Sequence, residues 1–514
     1  MIKIVYYRTL FSQSAASLTA GYLAGYLRKY TIEVGLELLE IGRLDNLQKV
    51  LKNSDECQVI IYKCNFQDYI EGFNLMRAIK EVCPDKKIYV MGYFAEINAH
   101  RIMSQNKFIN GVVYGDGCDF ARIYDESNGE RTVGGLFRKN ETLYEDRNSR
   151  YIPLSELPRP ARDIEKKEQG QYINLIWRNG CYGSCSFCHI NLVNRPFSER
   201  KIEDVVEEIE ECYYKLGKRM FIFNDSVFWW GEKDDESLNR FVSLVKAKKL
   251  DISFMIYLRC TPFIGEERLA ILKEVGLQRV FIGIENVSES FYSEYNKNVV
   301  KYDKILEIFE KMHISYHIGF ILFHPRVTVK ELGDNIRYLY KLKKLYRLGI
   351  IIEKMRIMRV GNESLYQDKI DIAYEYEFDN PEIDFIYSTL KDFFAIFNIR
   401  DFENVCTSTL YLMNIYGNRF GDWEAEVFTN FKNLIKAFND FSNNFYEEVL
   451  VNYNNYRCTE EFCNILKDKY LDSFQRYYYR FQAMKGLVYD YISQRDSTLH
   501  LQVFHGQRRI NAYD

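Results

Sequence analysis

Apolar positions along the chain fall into two successive strand–helix alternations and then a long helical stretch. Residues 2–7 read as a short buried strand, and residues 18–30 follow with Leu18, Tyr22, Leu23, Tyr26 and Leu27 at helical spacing. A second apolar run at 59–62 precedes a helical pattern over 69–82, and two further runs, 87–92 and 111–115, end in glycine. Short apolar runs separated by amphipathic helices predict a parallel sheet with crossover connections. Ligands of such sheets sit beyond the strand C-terminal ends, where glycines such as Gly92 and Gly115 expose the backbone.

A polar stretch over 127–150 interrupts the pattern, and Leu154-Ser-Glu-Leu-Pro-Arg-Pro160 reads as a linker, placed at 146–170. Strands are then predicted at 172–176, 220–223, 252–258, 279–284, 315–322 and 351–358. Between them lie helices such as 202–216, whose Ile202, Val205, Val206, Ile209 and Tyr213 share one face. Six strand–helix units over 171–365 predict a partial (β/α)6 TIM-type barrel with functional residues at the strand C-termini. Residues 366–514 are acidic, Tyr/Phe-rich and mainly helical, and their aromatics read as core. The fold class is α/β with domains at 1–145, 171–365 and 366–514.

Composition narrows the chemistry. At 514 residues, two or three domains are expected, and 47% hydrophobic with 27% charged residues excludes a disordered chain. The net charge of -3 gives no electrostatic reason to expect nucleic acid. No apolar run reaches the roughly 20 residues of a membrane span, and the first residues lack a secretory pattern, so a cytoplasmic chain is expected. Twelve cysteines in such a chain argue for metal binding or reactivity before disulfides.

Three of those cysteines are grouped: Cys181-Tyr-Gly-Ser-Cys185-Ser-Phe-Cys188, directly after the first strand of the second region. Three thiolates on one tight loop suit three irons of a four-iron, four-sulfur cluster, leaving the fourth iron open to an exogenous ligand. Gly180 and Gly183 let the loop wrap closely, and Phe187 offers an apolar wall. The competing reading is a structural zinc site using these cysteines and His189. Adjacency of His189 to Cys188 strains joint ligation, and no paired Cys/His knuckle follows.

The three-cysteine spacing, the aromatic before the last cysteine and the barrel pattern resemble radical S-adenosylmethionine enzymes, over roughly residues 150–360. The resemblance implies that the open iron binds S-adenosylmethionine and that a reduced cluster cleaves it, giving a 5′-deoxyadenosyl radical. It implies an electron donor such as a flavodoxin or ferredoxin. Asn224 and Asp225 end the second strand, where the family places polar groups near the methionine moiety; an N-cap role for Asp225 is the alternative. Ile282-Gly-Ile-Glu-Asn286 is similar to the family strand end at which Glu285 would accept from ribose hydroxyls, or else form an ordinary ion pair. Arg259 would pair with the cofactor carboxylate or with a neighbouring acid.

The first region resembles the Rossmann-like cobalamin-binding domain of some radical enzymes at Gly92 and at Gly115-Asp116-Gly117, and Leu157-Pro-Arg-Pro160 is similar to their linker. The Asp-x-His-x-x-Gly signature is absent, and His100 stands outside such a frame. If cobalamin binds, the implied reaction is methylation of an unactivated carbon in a natural-product or peptide substrate. The alternatives are cobalamin-independent cross-linking, epimerisation with Cys260 or Cys406 as hydrogen donor unless these cysteines only pack, and a non-catalytic iron–sulfur sensor. His324 and Glu363 follow the fifth and sixth predicted strands and are further pocket candidates.

Overall fold

The computed structural model describes residues 1–8, 17–52, 57–65, 67–118, 134–139, 141–147, 151–167, 172–192, 196–231, 234–259, 265–297, 302–355 and 376–495. Its first sheet has seven strands: β1 (Ile2–Tyr7), β2 (Val34–Leu39), β3 (Val59–Lys63), β4 (Lys87–Met91), β5 (Gly111–Val113), β6 (Gly135–Lys139) and β7 (Thr142–Asp146). Their order is β2-β1-β3-β4-β5-β6-β7, the first five parallel and the last two an antiparallel edge. The helices are α1 (Leu18–Lys29), α2 (Asn46–Leu51), α3 (Tyr69–Val82), α4 (Tyr93–Ile97) and α5 (Ala99–Gln105). Strand β1 is apolar throughout because it is covered on both faces: Val5 and Tyr7 enter one core, Ile4 and Tyr6 the other. Strand order reverses between β1 and β3, the point at which open parallel sheets generally take their ligands.

Strand β2 and the β6–β7 hairpin are additions to the sequence reading. Val34-Gly-Leu-Glu-Leu-Leu39 alternates as a half-buried edge instead of running apolar. The hairpin lies within the stretch read as polar, because only one of its strands, β6, contributes a buried face.

The linker includes α6 (Asp163–Lys167) and lies against α1. The Ala161 amide donates to the Gly21 carbonyl at 2.9 Å, and a Cβ at Gly25 would stand 2.7 Å from the Arg159 carbonyl oxygen. Gly21 and Gly25 thus form the seat for this segment.

The next elements are β8 (Tyr172–Leu175), β9 (Arg178–Asn179), α7 (His189–Leu192), β10 (Ser198–Glu199), α8 (Ile202–Leu216), β11 (Met220–Phe223), α9 (Asp235–Ala247) and β12 (Ser253–Arg259). Then follow α10 (Glu266–Glu274), β13 (Leu277–Glu285), α11 (Glu289–Glu294), α12 (Tyr302–Lys311), β14 (Ser315–Phe320), α13 (Val329–Lys341) and α14 (Leu348–Ile352). Five parallel strands in the order β14-β13-β12-β11-β8 make an open barrel wall. At the sixth predicted strand, residues 348–352 are helical and a single parallel bridge joins Phe323 to Lys354; residues 356–358 lie outside the described residues. A short apolar run such as Gly349-Ile-Ile-Ile352 has no period that separates helix from strand.

Arg159 of the linker pairs with Asp204, Glu207 and Glu211 on α8, at 3.2, 2.7 and 3.3 Å. Beneath it, Glu208 is buried between Arg162 and Arg200, and Arg200 also reaches the Tyr22 hydroxyl of α1. Burial opposes the charge of Glu208, but the two guanidiniums outweigh it and hold its carboxyl below the usual range.

The C-terminal helices are α15 (Pro381–Phe394), α16 (Ile399–Phe420), α17 (Glu426–Asn452) and α18 (Thr459–Ser493). Phe393, Phe394, Phe438, Phe445 and Phe474 interlock within their core, so the aromatic richness here serves packing. Helix α16 covers the N-terminal ends of the barrel strands: Arg279 at the start of β13 lies over the Tyr411 ring at 5.0 Å, and Asn418 donates to Gln278. The opposite end, with the strand C-termini, faces away from this plug. Among the described residues, no helix is long and apolar enough to cross a membrane.

Candidate active site at the strand C-termini

The cysteine loop follows β8 and β9 at the C-terminal mouth of the barrel. Cys181, Cys185 and Cys188 are free thiols, with Cys185 buried and the other two half-buried. Among the described residues, no three His, Cys, Asp or Glu side chains gather closely enough to hold one metal ion. A single zinc ion asks its ligands to converge on one point, whereas a cluster asks each thiolate for a separate iron. The donor set fits a four-iron, four-sulfur cluster with one iron left without a protein ligand.

Local hydrogen bonds shape the loop. The Gly183 amide donates to the Cys181 sulfur at 3.3 Å, the Cys188 amide to the Cys185 carbonyl, and Asn191 Nδ2 to that same carbonyl. Gly180 takes φ +89°, and a Cβ there would come within 3.0 Å of the Phe197 backbone. Burial, with the neighbouring Cys181 and Cys185 sulfurs adding to it, pushes the Cys188 thiol up.

Arg259, at the end of β12, lies across Gly183 and over the Tyr182 ring. Burial works against its charge, but the Cys185 and Cys181 sulfurs more than compensate and hold it above the usual arginine value. Its guanidinium thus sits in the field of the loop sulfurs. The guanidinium supplies the positive charge that a group of thiolates needs.

The loop is held from the other side by the turn after α11. The Ser186 amide donates to the Tyr295 carbonyl at 3.0 Å, and Asn296 Nδ2 donates to the Ser184 carbonyl and hydroxyl. Phe187 packs on Phe291 and Tyr295. His324 sits behind these rings, 1% exposed, with Nδ1 3.4 Å from the Tyr295 hydroxyl and, among the described residues, no hydrogen-bond partner for Nε2. Burial depresses its pKa to about 4, so the imidazole is neutral and its place is in the packing.

Glu285 ends β13 at φ +70°, a left-handed conformation that costs a side-chain-bearing residue about 1–2 kcal/mol. Its carboxylate lies over Gly283 and Gly319, neighbours in register on β13 and β14. Lys297 pairs with it at 3.1 Å and donates to the Gly283 carbonyl at 2.9 Å. The sequence reading found Glu285 but not Lys297, Asn296 or Tyr295, whose signal is a polar turn with no motif of its own.

Asp225 is 1% exposed and ties strand ends together. Its Oδ1 accepts from the amides of Trp177 and Arg178 at 2.7 and 3.1 Å, and its Oδ2 has no hydrogen-bond partner among the described residues. Burial raises its carboxyl to about 7 against the two amides and the nearby Arg178 and Arg200. It closes the end of β8 and caps no helix. Asn224, beside it, is exposed at the mouth, its amide donating to the Leu175 carbonyl.

In the first sheet, Gly92 and Gly115 end β4 and β5 at φ +108° and +65°. A Cβ at Gly92 would meet the Cys64 carbonyl at 2.8 Å, and the Gly115 amide donates to Glu96. Asn65 and Asp68 form a hydrogen-bonded polar group at the end of β3, joined by the Tyr62 hydroxyl. His100, the only histidine in residues 1–170, stands on α5 beside Glu145 at 3.1 Å. A corrin bound at these strand ends would receive no imidazole from residues 1–170 other than that of His100. Cys406 is buried in the α16 core, out of reach of a substrate; Cys260 and Glu363 lie outside the described residues.

Residues 175–339 match the family model described as the Radical SAM superfamily, which marks a radical S-adenosylmethionine domain over that part of the chain. It is 25% identical over 211 residues to the ribosomal protein uS12 methylthiotransferase RimO of Thermosipho melanesiensis, covering 39% of this chain and 48% of that protein. It is 25% identical over 182 residues to the bacteriochlorophyllide d C-8(2)-methyltransferase of Chlorobaculum tepidum, covering 33% and 39%. The chain thus matches about half or less of these curated relatives. The structure of the cobalamin-dependent S-adenosylmethionine radical enzyme OxsB, with aqua-cobalamin and S-adenosylmethionine bound, is similar over 99% of this chain and 83% of that one. The TM-score is 0.66 at 14% identity, a likeness of fold.

Proposed function

We propose that this chain is a cobalamin-dependent radical S-adenosylmethionine methyltransferase acting on an unactivated carbon of a small-molecule or peptide substrate. The observation that carries the reading is the set of three unbridged thiols at the strand C-terminal mouth of a barrel, in a chain whose separate parallel sheet has a switch-point crevice of its own. Similarity to a carbon methyltransferase and to a fold that holds both cofactors supports it.

Cys181, Cys185 and Cys188 would hold the cluster, and the crevice beyond β1, β3, β4 and β5 the corrin. When bound, the cluster supplies the electron that cleaves S-adenosylmethionine, and the corrin supplies the methyl group. The chain's own residues do the rest. Arg259 offsets thiolate charge, Phe187 and its ring partners give the loop an apolar wall, and Glu285 offers carboxylate oxygens to nucleoside hydroxyls. Asp225 keeps the strand ends closed beneath them. A small electron-transfer protein of flavodoxin or ferredoxin type completes the reading.

The test is anaerobic purification with hydroxocobalamin present, followed by gel filtration and absorption spectroscopy. One corrin per chain together with a cluster spectrum is the expected result. A cluster without retained corrin overturns the methylation reading and leaves hydrogen-atom chemistry alone.

A further inference from the structure

The turn that follows α11 serves two parts of the mouth at once. Tyr295 and Asn296 hold the cysteine loop through Ser186 and Ser184, and the next residue, Lys297, reaches the end of β13. Lys297 is 8% exposed, an uncommon place for a lysine, and its ammonium bonds the Gly283 carbonyl and Glu285 Oε1. Glu285 Oε2 lies over Gly319, 3.3 Å from where a Cβ would stand. Glycines at both register positions leave the barrel's inner face bare, so the carboxylate is laid flat on it.

Stability alone is a weak reason to build this pair. Burying an ion pair gains little over apolar packing, and the left-handed backbone of Glu285 adds strain. Both features make sense where one carboxylate oxygen must be fixed so that the other is presented in a single orientation.

We propose that Lys297 is a positioning residue that locks the Glu285 carboxylate across the Gly283–Gly319 floor, ready to accept from the vicinal hydroxyls of a nucleoside. This rests on the proposed function, since S-adenosylmethionine is the nucleoside concerned. Lys297 acts through Glu285 and touches no ligand itself. The turn that carries it therefore sets the spacing between the sulfur ligands and the nucleoside site.

The test measures equilibrium binding of S-adenosylmethionine to the cluster-reconstituted full chain, alongside iron content. Lys297→Met is expected to keep its iron and bind about tenfold more weakly, the scale of one charge-assisted hydrogen bond. Lys297→Arg is expected to recover most of that loss. The double variant E285Q/K297M is expected to bind no more weakly than E285Q, because a residue acting only through Glu285 has nothing left to position. Should K297M fail to fold, Lys297→Gln takes its place in both comparisons. Wild-type affinity in the single variant, or losses that add in full in the double variant, overturns the proposal. A wild-type chain that carries its cluster yet binds no S-adenosylmethionine removes the proposed function itself, and this inference with it.

Discussion

The guanidinium of Arg259 occupies the space that a Cβ at Gly183 would need. A side chain at this glycine of the cysteine loop can be admitted only by moving the end of a strand-end arginine 76 positions later.

Gly183→Ala is expected to push Arg259 off the loop sulfurs. Iron per chain after anaerobic reconstitution should fall to about half of wild type or less, since displacements of this size spoil ligand geometry. The melting temperature should barely move. Wild-type iron content would show that the contact is dispensable.

Cys185→Ala removes the buried thiol of the three while leaving the barrel wall untouched. The variant should fold, by circular dichroism, and form no 5′-deoxyadenosine from S-adenosylmethionine and dithionite. Continued cleavage in the absence of a cluster would contradict the chemistry assigned to the loop.

Asp225 gives a pH signature in the apoprotein. Its carboxyl is raised from 3.8 to about 7 in the folded chain, so the folded state holds the proton more tightly than the unfolded one. Its stabilising contribution is present below about pH 4 and is lost as the pH rises toward 7, up to about 4 kcal/mol in all. Asp225→Asn lacks that loss, so urea midpoints across this range should shift in favour of the variant as the pH rises. Parallel profiles for the two proteins would mean that Asp225 is ionised throughout.

Glu208→Ala leaves Arg162 and Arg200 buried without their shared partner. A loss of about 3 kcal/mol or more in unfolding free energy is expected, the usual cost of breaking a buried pair from one side. A loss below about 1 kcal/mol, the scale of an exposed pair, would show that Glu165 and Asp204 suffice for the two arginines.

What the sequence disclosed divides along a physical line. The cysteine loop was legible because its ligands lie within eight consecutive residues, and strands such as β1, β3, β8 and β11 because burial on two faces leaves near-continuous apolar runs. Strand β2 escaped notice as an alternating edge, and the bridge at Lys354 stands where a strand was expected. Residue roles at the mouth were less legible because their partners are distant in sequence. Asp225 reads as a ligand until the amides of Trp177 and Arg178 are found on its Oδ1. Lys297 carries no local signature, and only the fold brings it to Glu285.

The bare α1 surface at Gly21 and Gly25 has a mechanical consequence. Because the linker is clipped to that helix and bolted to α8 through Arg159, the joint between the first sheet and the barrel is braced at two points, without a pivot there. Rotation of the first sheet about this segment would have to break the contacts on α1 and the ion pairs on α8 together.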